Sequence, residues 1–285
     1  MYHGSKFPKQ EQDTPALQKK MTPKPDCGEE SYQGNHRLEG RNALITGGDS
    51  GIGRAVAIAY AREGANVAIQ FYPGEEADAE EVKKHIEDSG QKALLLAYDL
   101  REEGAASEIV EKTVEHFGQL DALVLNAAQQ IASSNLENLS MKQVEDTFKV
   151  NVISMIESVK AAEKHLKAGS TIIMTSSVQS FNPSPPLLDY AATKGAISNL
   201  ILSLSKYFAD KGIRVNGVAP GPIWTPLQLD HGQLDGQIPS FGQDSPLGRA
   251  GQPVELAPTY VLLTSADSSY TTGQIYGVTG GETIN

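Results

Sequence analysis

Hydrophobic and polar positions change their rhythm near residue 40 of this 285-residue chain. From Arg41 onward, short apolar runs alternate with stretches of helical period. The runs at 41–46, 66–71, 92–98, 121–126, 170–176, 213–218 and 274–278 read as strands. Most are continuously apolar rather than alternating, as strands covered on both faces must be. Helices are expected between them, over 51–62, 75–89, 102–117, 141–167, 189–210 and 253–265. Strand and helix in turn imply parallel pairing. The expected fold is α/β: a doubly wound parallel sheet of about seven strands with helices on both faces, Rossmann-type, in a single domain over 40–285.

Residues 1–39 follow neither rhythm. Pro8, Pro15, Pro23 and Pro25 interrupt a polar stretch with few aliphatic side chains. Such a segment cannot bury enough apolar surface to fold alone, so it reads as an extended arm. A disordered tail and a strap across a neighbouring subunit both fit that reading.

Composition narrows the partners. A net charge of −11 gives a phosphate backbone no basic face, and an anionic membrane surface no attraction. No apolar run approaches the roughly 20 residues of a membrane span, and the first residues lack the apolar core of a signal peptide. Cys27 is the one cysteine, which excludes an intrachain disulfide and a multi-cysteine zinc site. It reads as an incidental tail thiol, and the chain as cytoplasmic. The six histidines are scattered without metal-ligand spacing, and His231 reads as a solvated loop residue. The Thr-Ser-Ser-Val stretch at 175–178 lacks the glycine-flanked serine of a hydrolase nucleophile elbow.

Two constellations carry chemistry. Thr46-Gly47-Gly48-Asp49-Ser50-Gly51-Ile52-Gly53 joins the first strand to the first helix. Glycines there permit a tight turn and close approach of a pyrophosphate, for which the helix N-terminus supplies N–H groups and partial positive charge. Tyr190 and Lys194 stand four residues apart on an expected helix, so they share one face. A free phenol titrates near 10, too high for ready exchange at neutral pH. A neighbouring ammonium favours the phenolate, so Lys194 is expected to make Tyr190 a usable acid/base.

The Thr-Gly-x-x-x-Gly-Ile-Gly spacing resembles the short-chain dehydrogenase/reductase family, and further matches cover roughly 38–282. Asp99-Leu100, ending the third strand, resembles the place of the family's adenine-contacting Asp. Asn126-Ala127-Ala128 stands where Asn-Ala-Gly is usual, with an alanine in place of the glycine. Pro220-Gly221-Pro222-Ile223-Trp224-Thr225 resembles the segment that holds the nicotinamide carboxamide. Ser177, 13 residues before Tyr190, sits at the family's interval for a serine that steadies the substrate carbonyl. Alternation turns its neighbour Ser176 the other way. Asn151 matches a fourth member that in relatives supports a water chain from the lysine. The resemblance implies hydride transfer between a nicotinamide dinucleotide and a carbonyl or alcohol, with Tyr190 moving the proton and Lys194 also gripping the nicotinamide ribose.

The choice of dinucleotide is expected from the end of the second strand. A carboxylate there would bind the adenosine ribose and repel a 2′-phosphate. Gln70, Phe71 and Tyr72 offer none before Glu75, although no basic residue stands there and Ser50 occupies a place where NADP users often carry one. NADP is therefore the expected preference, with NAD admitted. The stretches 178–189 and 224–247 should shape the substrate pocket, with Phe181, Trp224, Leu227 and Phe241 as an apolar lining for aldehydes, ketones or secondary alcohols. The arm and the motif set are most similar to a bacterial subgroup of general-stress oxidoreductases and an NADP-dependent aldehyde reductase, and relatives of this kind imply a homotetramer. A nicotinamide-nucleotide sensor without turnover is the alternative from another class. Sensors commonly lose the tyrosine or lysine kept here. A sugar-nucleotide epimerase would carry a different glycine spacing.

Overall fold

In the computed structural model of the chain, which describes residue 4 and residues 6–284, all seven expected strands form within two residues of their predicted ends. They are β1 (Asn42–Thr46), β2 (Asn66–Phe71), β3 (Ala93–Ala97), β4 (Ala122–Leu125), β5 (Thr171–Thr175), β6 (Arg214–Pro220) and β7 (Ile275–Val278). The sheet runs β3-β2-β1-β4-β5-β6-β7, with every pair parallel. The strand order therefore reverses between β1 and β4.

Period-two alternation divides the core. Ala43, Ile45, Val67, Ile69 and Val124 face one layer, built on α1 (Gly51–Arg62), α2 (Glu76–Asp88) and α7 (Ala257–Thr264). Leu44, Ala68, Leu123, Leu125 and Ile172 face the other. There α3 (Ala105–Phe117), α5 (Ser154–Ala162) and α6 (Leu188–Phe208) cover the sheet. Helix α1 is buried almost all round, because small residues at Ala55, Ala57, Ala59 and Ala61 let the sheet, α2 and α7 close on it.

Two helices depart from expectation. The single helix predicted over 141–167 is broken: α4 (Met141–Phe148) passes through a π-helical turn, Lys149–Ile153, before α5 begins. Such turns insert one residue into the helical ladder and commonly mark functional positions. This one carries Asn151. The last helix opens as a 3₁₀ turn at Pro253–Glu255, since proline can start a helix but cannot donate within it.

The arm lies on its own chain. Phe7 stacks on Trp224 at 3.8 Å between ring centroids, and the Trp224 indole N–H donates to the Pro23 carbonyl at 2.9 Å. Ala16, Met21 and Trp224 form a small core with Leu229, Ile238 and Ala250. Cys27 is no tail thiol. It is fully buried in the main core, where burial pushes its thiol well above the usual range. An arm poor in apolar residues can order because the body supplies the other half of its small core.

Candidate active site

The carboxyl ends of β1, β4, β5 and β6 open on one cavity of about 370 Å³ beside the reversal of strand order. A doubly wound sheet leaves its ligand crevice at that point.

At one end the glycine turn is shaped for close approach. Gly47 (φ +61°) and Gly51 (φ +52°) adopt left-handed backbone that disfavours a side chain. A Cβ added at Gly53 would lie 1.8 Å from the Gly47 carbonyl oxygen, so this glycine sets how closely α1 packs on the turn. It does not itself reach the cavity. Gly47, Asp49, Ser50, Gly51 and Ile52 do. Of the N–H groups in the first turn of α1, that of Gly51 is taken at 2.7 Å by the Gln18 side chain of the arm. Asn126 brackets β1 and β4: its backbone N–H donates to Thr46 Oγ1 at 2.9 Å, and its side chain donates to the Thr46 and Gly47 carbonyls.

The end of β2 corrects the sequence picture. Phe71 turns into the core and does not line the cavity. Pro73-Gly74 makes a tight turn closed by the Glu75 N–H on the Tyr72 carbonyl at 3.1 Å, with Gly74 at φ +110°. This folds Glu75 back so that its carboxylate accepts from the Tyr72 N–H at 2.9 Å. The strand end that lacked a carboxylate in sequence has one in space. Proline then glycine after a strand, at the positions a type II turn requires, was the available signal. Asp49 lies nearby, buried, with Oδ2 unpartnered. Burial raises both carboxyls, Asp49 and Glu75, and a neighbouring carboxylate adds to each, Asp78 for Asp49 and Asp49 for Glu75. The Arg101 guanidinium lines the same end, held by Asp99 at 2.6 Å and donating to the Tyr72 hydroxyl at 2.9 Å. Leu100, Ala127 and Ala128 also face the cavity, as do Thr14, Pro15 and Ala16 of the arm, which the sequence reading did not place there.

At the other end stand Ser177, Tyr190 and Lys194. Tyr190 and Lys194 share a face of α6, with the ammonium 5.2 Å from the phenol ring centroid. Lys194 Nζ donates to the Thr175 carbonyl at 2.8 Å. Ser177 Oγ accepts from the Gln179 N–H at 3.1 Å, and its hydrogen bond to the Tyr190 phenol draws that pKa down. Ser176 bonds Ser180 and Ser198 instead. Asn151 does not touch the lysine. Its side chain accepts from the Gln129 N–H at 2.7 Å and donates to the Gln129 carbonyl and to Thr193 Oγ1, each at 3.0 Å.

The electrostatics differ from the expectation. Burial raises the Tyr190 phenol to about 12, against the smaller pull of Ser177, and lowers the Lys194 ammonium to about 7. Removing both groups from water outweighs their mutual attraction, so Lys194 alone does not bring the phenol toward neutrality.

Around this end Pro220, Gly221, Ile223 and Thr225 line the wall, with Leu227 and Phe241 above them. Gly221 is required because a Cβ there would lie 2.6 Å from the Thr279 carbonyl oxygen. Trp224 and Phe181 do not line the cavity. Trp224 is wholly buried against the arm, and Phe181 is half-buried outside. In their place the cavity has Gln129, Gln130, Gln179, Gln228 and Gln233, which the sequence reading overlooked. Among the described residues no group of three His, Cys, Asp or Glu side chains could hold a metal ion; His3 lies outside them. Among the described residues no helix is long and apolar enough to cross a membrane.

The glycine cradle, the N–H groups of α1 and the flanking Asp99 and Asn126 fit a dinucleotide, and comparison with known proteins agrees. The family model described as enoyl-(acyl carrier protein) reductase matches residues 47–283. The oxidoreductase YhxD of Bacillus subtilis is 57% identical over 283 residues, covering 98% of this chain and 95% of that protein. The chloroplastic NADPH-dependent aldehyde reductase 1 of Arabidopsis thaliana is 43% identical, covering 95% of this chain and 96% of that one. A Burkholderia cenocepacia short-chain dehydrogenase solved in complex with NADP superposes with a TM-score of 0.78 at 30% identity, over 86% of this chain and 98% of that one. The chain belongs to the short-chain dehydrogenase/reductase family.

Proposed function

We propose that this oxidoreductase transfers a hydride between NADP(H), or less readily NAD(H), and an aldehyde, ketone or secondary alcohol, with Tyr190 as the proton-transferring group. The observation that carries the reading is the meeting of Ser177, Tyr190 and Lys194 on one wall of the cavity whose other end is the glycine turn. The bound dinucleotide supplies the hydride donor or acceptor.

The protein's part in reduction is to present a phenol that is protonated at neutral pH, as burial ensures for Tyr190. Its proton passes to the carbonyl oxygen while the Ser177 hydroxyl donates to that oxygen and holds it. Lys194, anchored on the Thr175 carbonyl, sits where it can return a proton to Tyr190. Asn151 is a positioning residue. It pins the backbone at Gln129 and, through Thr193, the turn of α6 that carries Tyr190.

The preference for NADP(H) is supported by Arg101, the cation at the far end of the cavity, and by the names of the aldehyde reductase and the NADP complex. Glu75 and Asp49 weigh less against a 2′-phosphate than their type suggests, because burial favours their neutral forms. A cytoplasmic homotetramer is the proposed assembly. Ile153, Ile156, Leu202 and Tyr207 leave large apolar surface exposed along the π-helical turn, α5 and α6, which a second subunit would cover. Residues 1–39 are proposed as an arm appended to the catalytic domain at 40–285. Absorbance at the reduced-nicotinamide band, with both dinucleotides and a panel of aldehydes, ketones and alcohols, tests the proposal. Turnover is expected, with a larger kcat/KM for NADPH than for NADH; dinucleotide binding without turnover of any member would favour the sensor.

A further inference from the structure

The arm holds the glycine turn through one buried side chain. Gln18 does not line the cavity, yet its side-chain oxygen accepts the Gly51 N–H at 2.7 Å. Its Nε2 donates to Cys27 Sγ at 3.3 Å, and Cys27 Sγ donates to the Gly51 carbonyl at 3.5 Å. Both polar groups of one residue in the turn are therefore held from the arm. Thr225 bounds another side, since a Cβ added at Gly51 would lie 2.9 Å from its Cγ2. Gln18 is itself fixed from α2, whose Asp78 carboxylate accepts the N–H groups of Gln18 and Lys19 at 2.6 and 3.2 Å.

This contact bears on the N–H groups that a phosphate would use. The Ser50 carbonyl takes the Arg54 N–H at 3.0 Å, and Gln18 takes that of Gly51. Among the described residues none accepts from the Ile52 N–H, and Ile52 lines the cavity. Glycine imposes little backbone preference of its own. At Gly51, with φ +52°, anchoring its N–H fixes the direction in which the next one points. Phe7, Ala16 and Met21 pack the arm down. A buried amide on one glycine N–H does something else: it gives the turn a direction.

The same stretch walls the adjoining part of the cavity, which Thr14, Pro15 and Ala16 line. Pro15 Cγ lies 3.1 Å from where a Cβ at Gly74 would stand, in the turn that returns Glu75 to the end of β2. The Thr14 hydroxyl donates to the Asp230 carboxylate, which clasps the arm to the loop beyond β6.

We propose that the arm is a working part of the dinucleotide site. Gln18 is a positioning residue that aims the Ile52 N–H at the pyrophosphate, and residues 14–16 close the adenosine end over the bound ligand. The proposal rests on the reading of the cavity as a dinucleotide site.

The test is binding to the full chain, by calorimetry, of NADPH, 2′-phospho-ADP-ribose and adenosine 2′-phosphate. The first two carry the pyrophosphate and the third does not. Gln18→Met should raise the dissociation constants of the first two by about tenfold, the scale of a buried N–H deprived of its acceptor. That of adenosine 2′-phosphate should change less than about twofold, whereas a merely structural role would weaken all three alike. Thr14 is exposed, so Thr14→Val decides the matter should Gln18→Met not fold. Without its clasp, NADPH should dissociate about threefold faster or more in stopped flow, the scale of one hydrogen bond. Equal weakening of all three ligands, unchanged or tighter NADPH binding in Gln18→Met, or unchanged release in Thr14→Val would overturn the proposal. Each of these leaves the oxidoreductase reading intact. A wild type that binds neither NADPH nor NADH would overturn both.

Discussion

Tyr190, Lys194 and Ser177 at one end of the cavity come from a single helix and the strand before it, whereas the other end is closed by residues as distant as Thr14, Glu75 and Asp230. Local geometry builds the first. Four residues on α6 and a short step back to the end of β5 suffice, and Thr193 and Asn151 brace the result. Tertiary packing builds the second. There the arm crosses the cavity mouth, Thr14 hydrogen-bonds Asp230, and the Gln12 N–H donates to the Leu229 carbonyl at 3.2 Å. Chemistry needs its groups fixed to fractions of an ångström, which neighbouring residues on rigid elements provide. Enclosing a long ligand needs reach, which only distant segments provide. The two ends should therefore fail differently when disturbed.

The sharpest contrast is expected from Tyr190→Phe. It should lower kcat/KM for carbonyl reduction by about 10²–10⁴, the range for a positioned general acid, with dinucleotide affinity retained in a fluorescence titration. A fall of less than tenfold would remove Tyr190 from the mechanism. Trp224→Ala makes the opposite break. It empties the arm's small core, and should cost about 3–5 kcal/mol of unfolding free energy in a denaturant titration. A loss under about 1 kcal/mol would mean that the arm is not packed as described.

Lys194 separates activity from stability. Its folded pKa of about 7 lies below its ordinary 10.5, so the unfolded chain binds more protons between those values and stability rises with pH across that window. Below about pH 7 the buried ammonium carries a penalty on the order of a few kcal/mol. Lys194→Met should raise the melting temperature at pH 6, flatten its rise from pH 7 to 10, and abolish turnover. An unchanged pH dependence of melting would show that the lysine is not desolvated. The raised Tyr190 pKa adds a kinetic counterpart, since oxidation of an alcohol needs the phenolate and reduction needs the phenol. Oxidation should rise with pH through the alkaline range while reduction does not, as initial rates in the two directions will reveal.

The mildest change is Phe7→Ala. It removes one stacked ring, worth about 0.5–1.5 kcal/mol beyond area burial, at a site that lines no part of the cavity. A red-shifted emission from Trp224, the only tryptophan, would report the loosened arm directly. Emission identical to the wild type would deny the stacking.

How far the sequence could be read follows the same division. The seven strands and the Tyr190–Lys194 face were legible because each depends on spacing within one element. The π-helical turn at Asn151 was not, since nothing in 141–167 breaks the apolar period. Glu75 was seen as too late in the chain to serve the end of β2, although a four-residue turn returns it there. The apolar character of Trp224 and Phe181 points to burial but not to what they are buried against, and neither lines the cavity. The glutamines of the cavity carry no signal in sequence, because an amide has no periodic signature; only the packed loops show where its donors point.

By itself, the order of residues determined the parallel sheet, the glycine turn and the set of reactive groups, because short-range sterics and hydrophobic period fix elements and their faces. Tertiary structure alone decided that burial, rather than ion pairing, governs Tyr190 and Lys194. It also decided that Cys27 and Trp224 belong to cores shared with the arm, and that five glutamine amides beyond β2 line the cavity. Desolvation and enclosure depend on what the rest of the chain brings alongside, and no local window of sequence contains that.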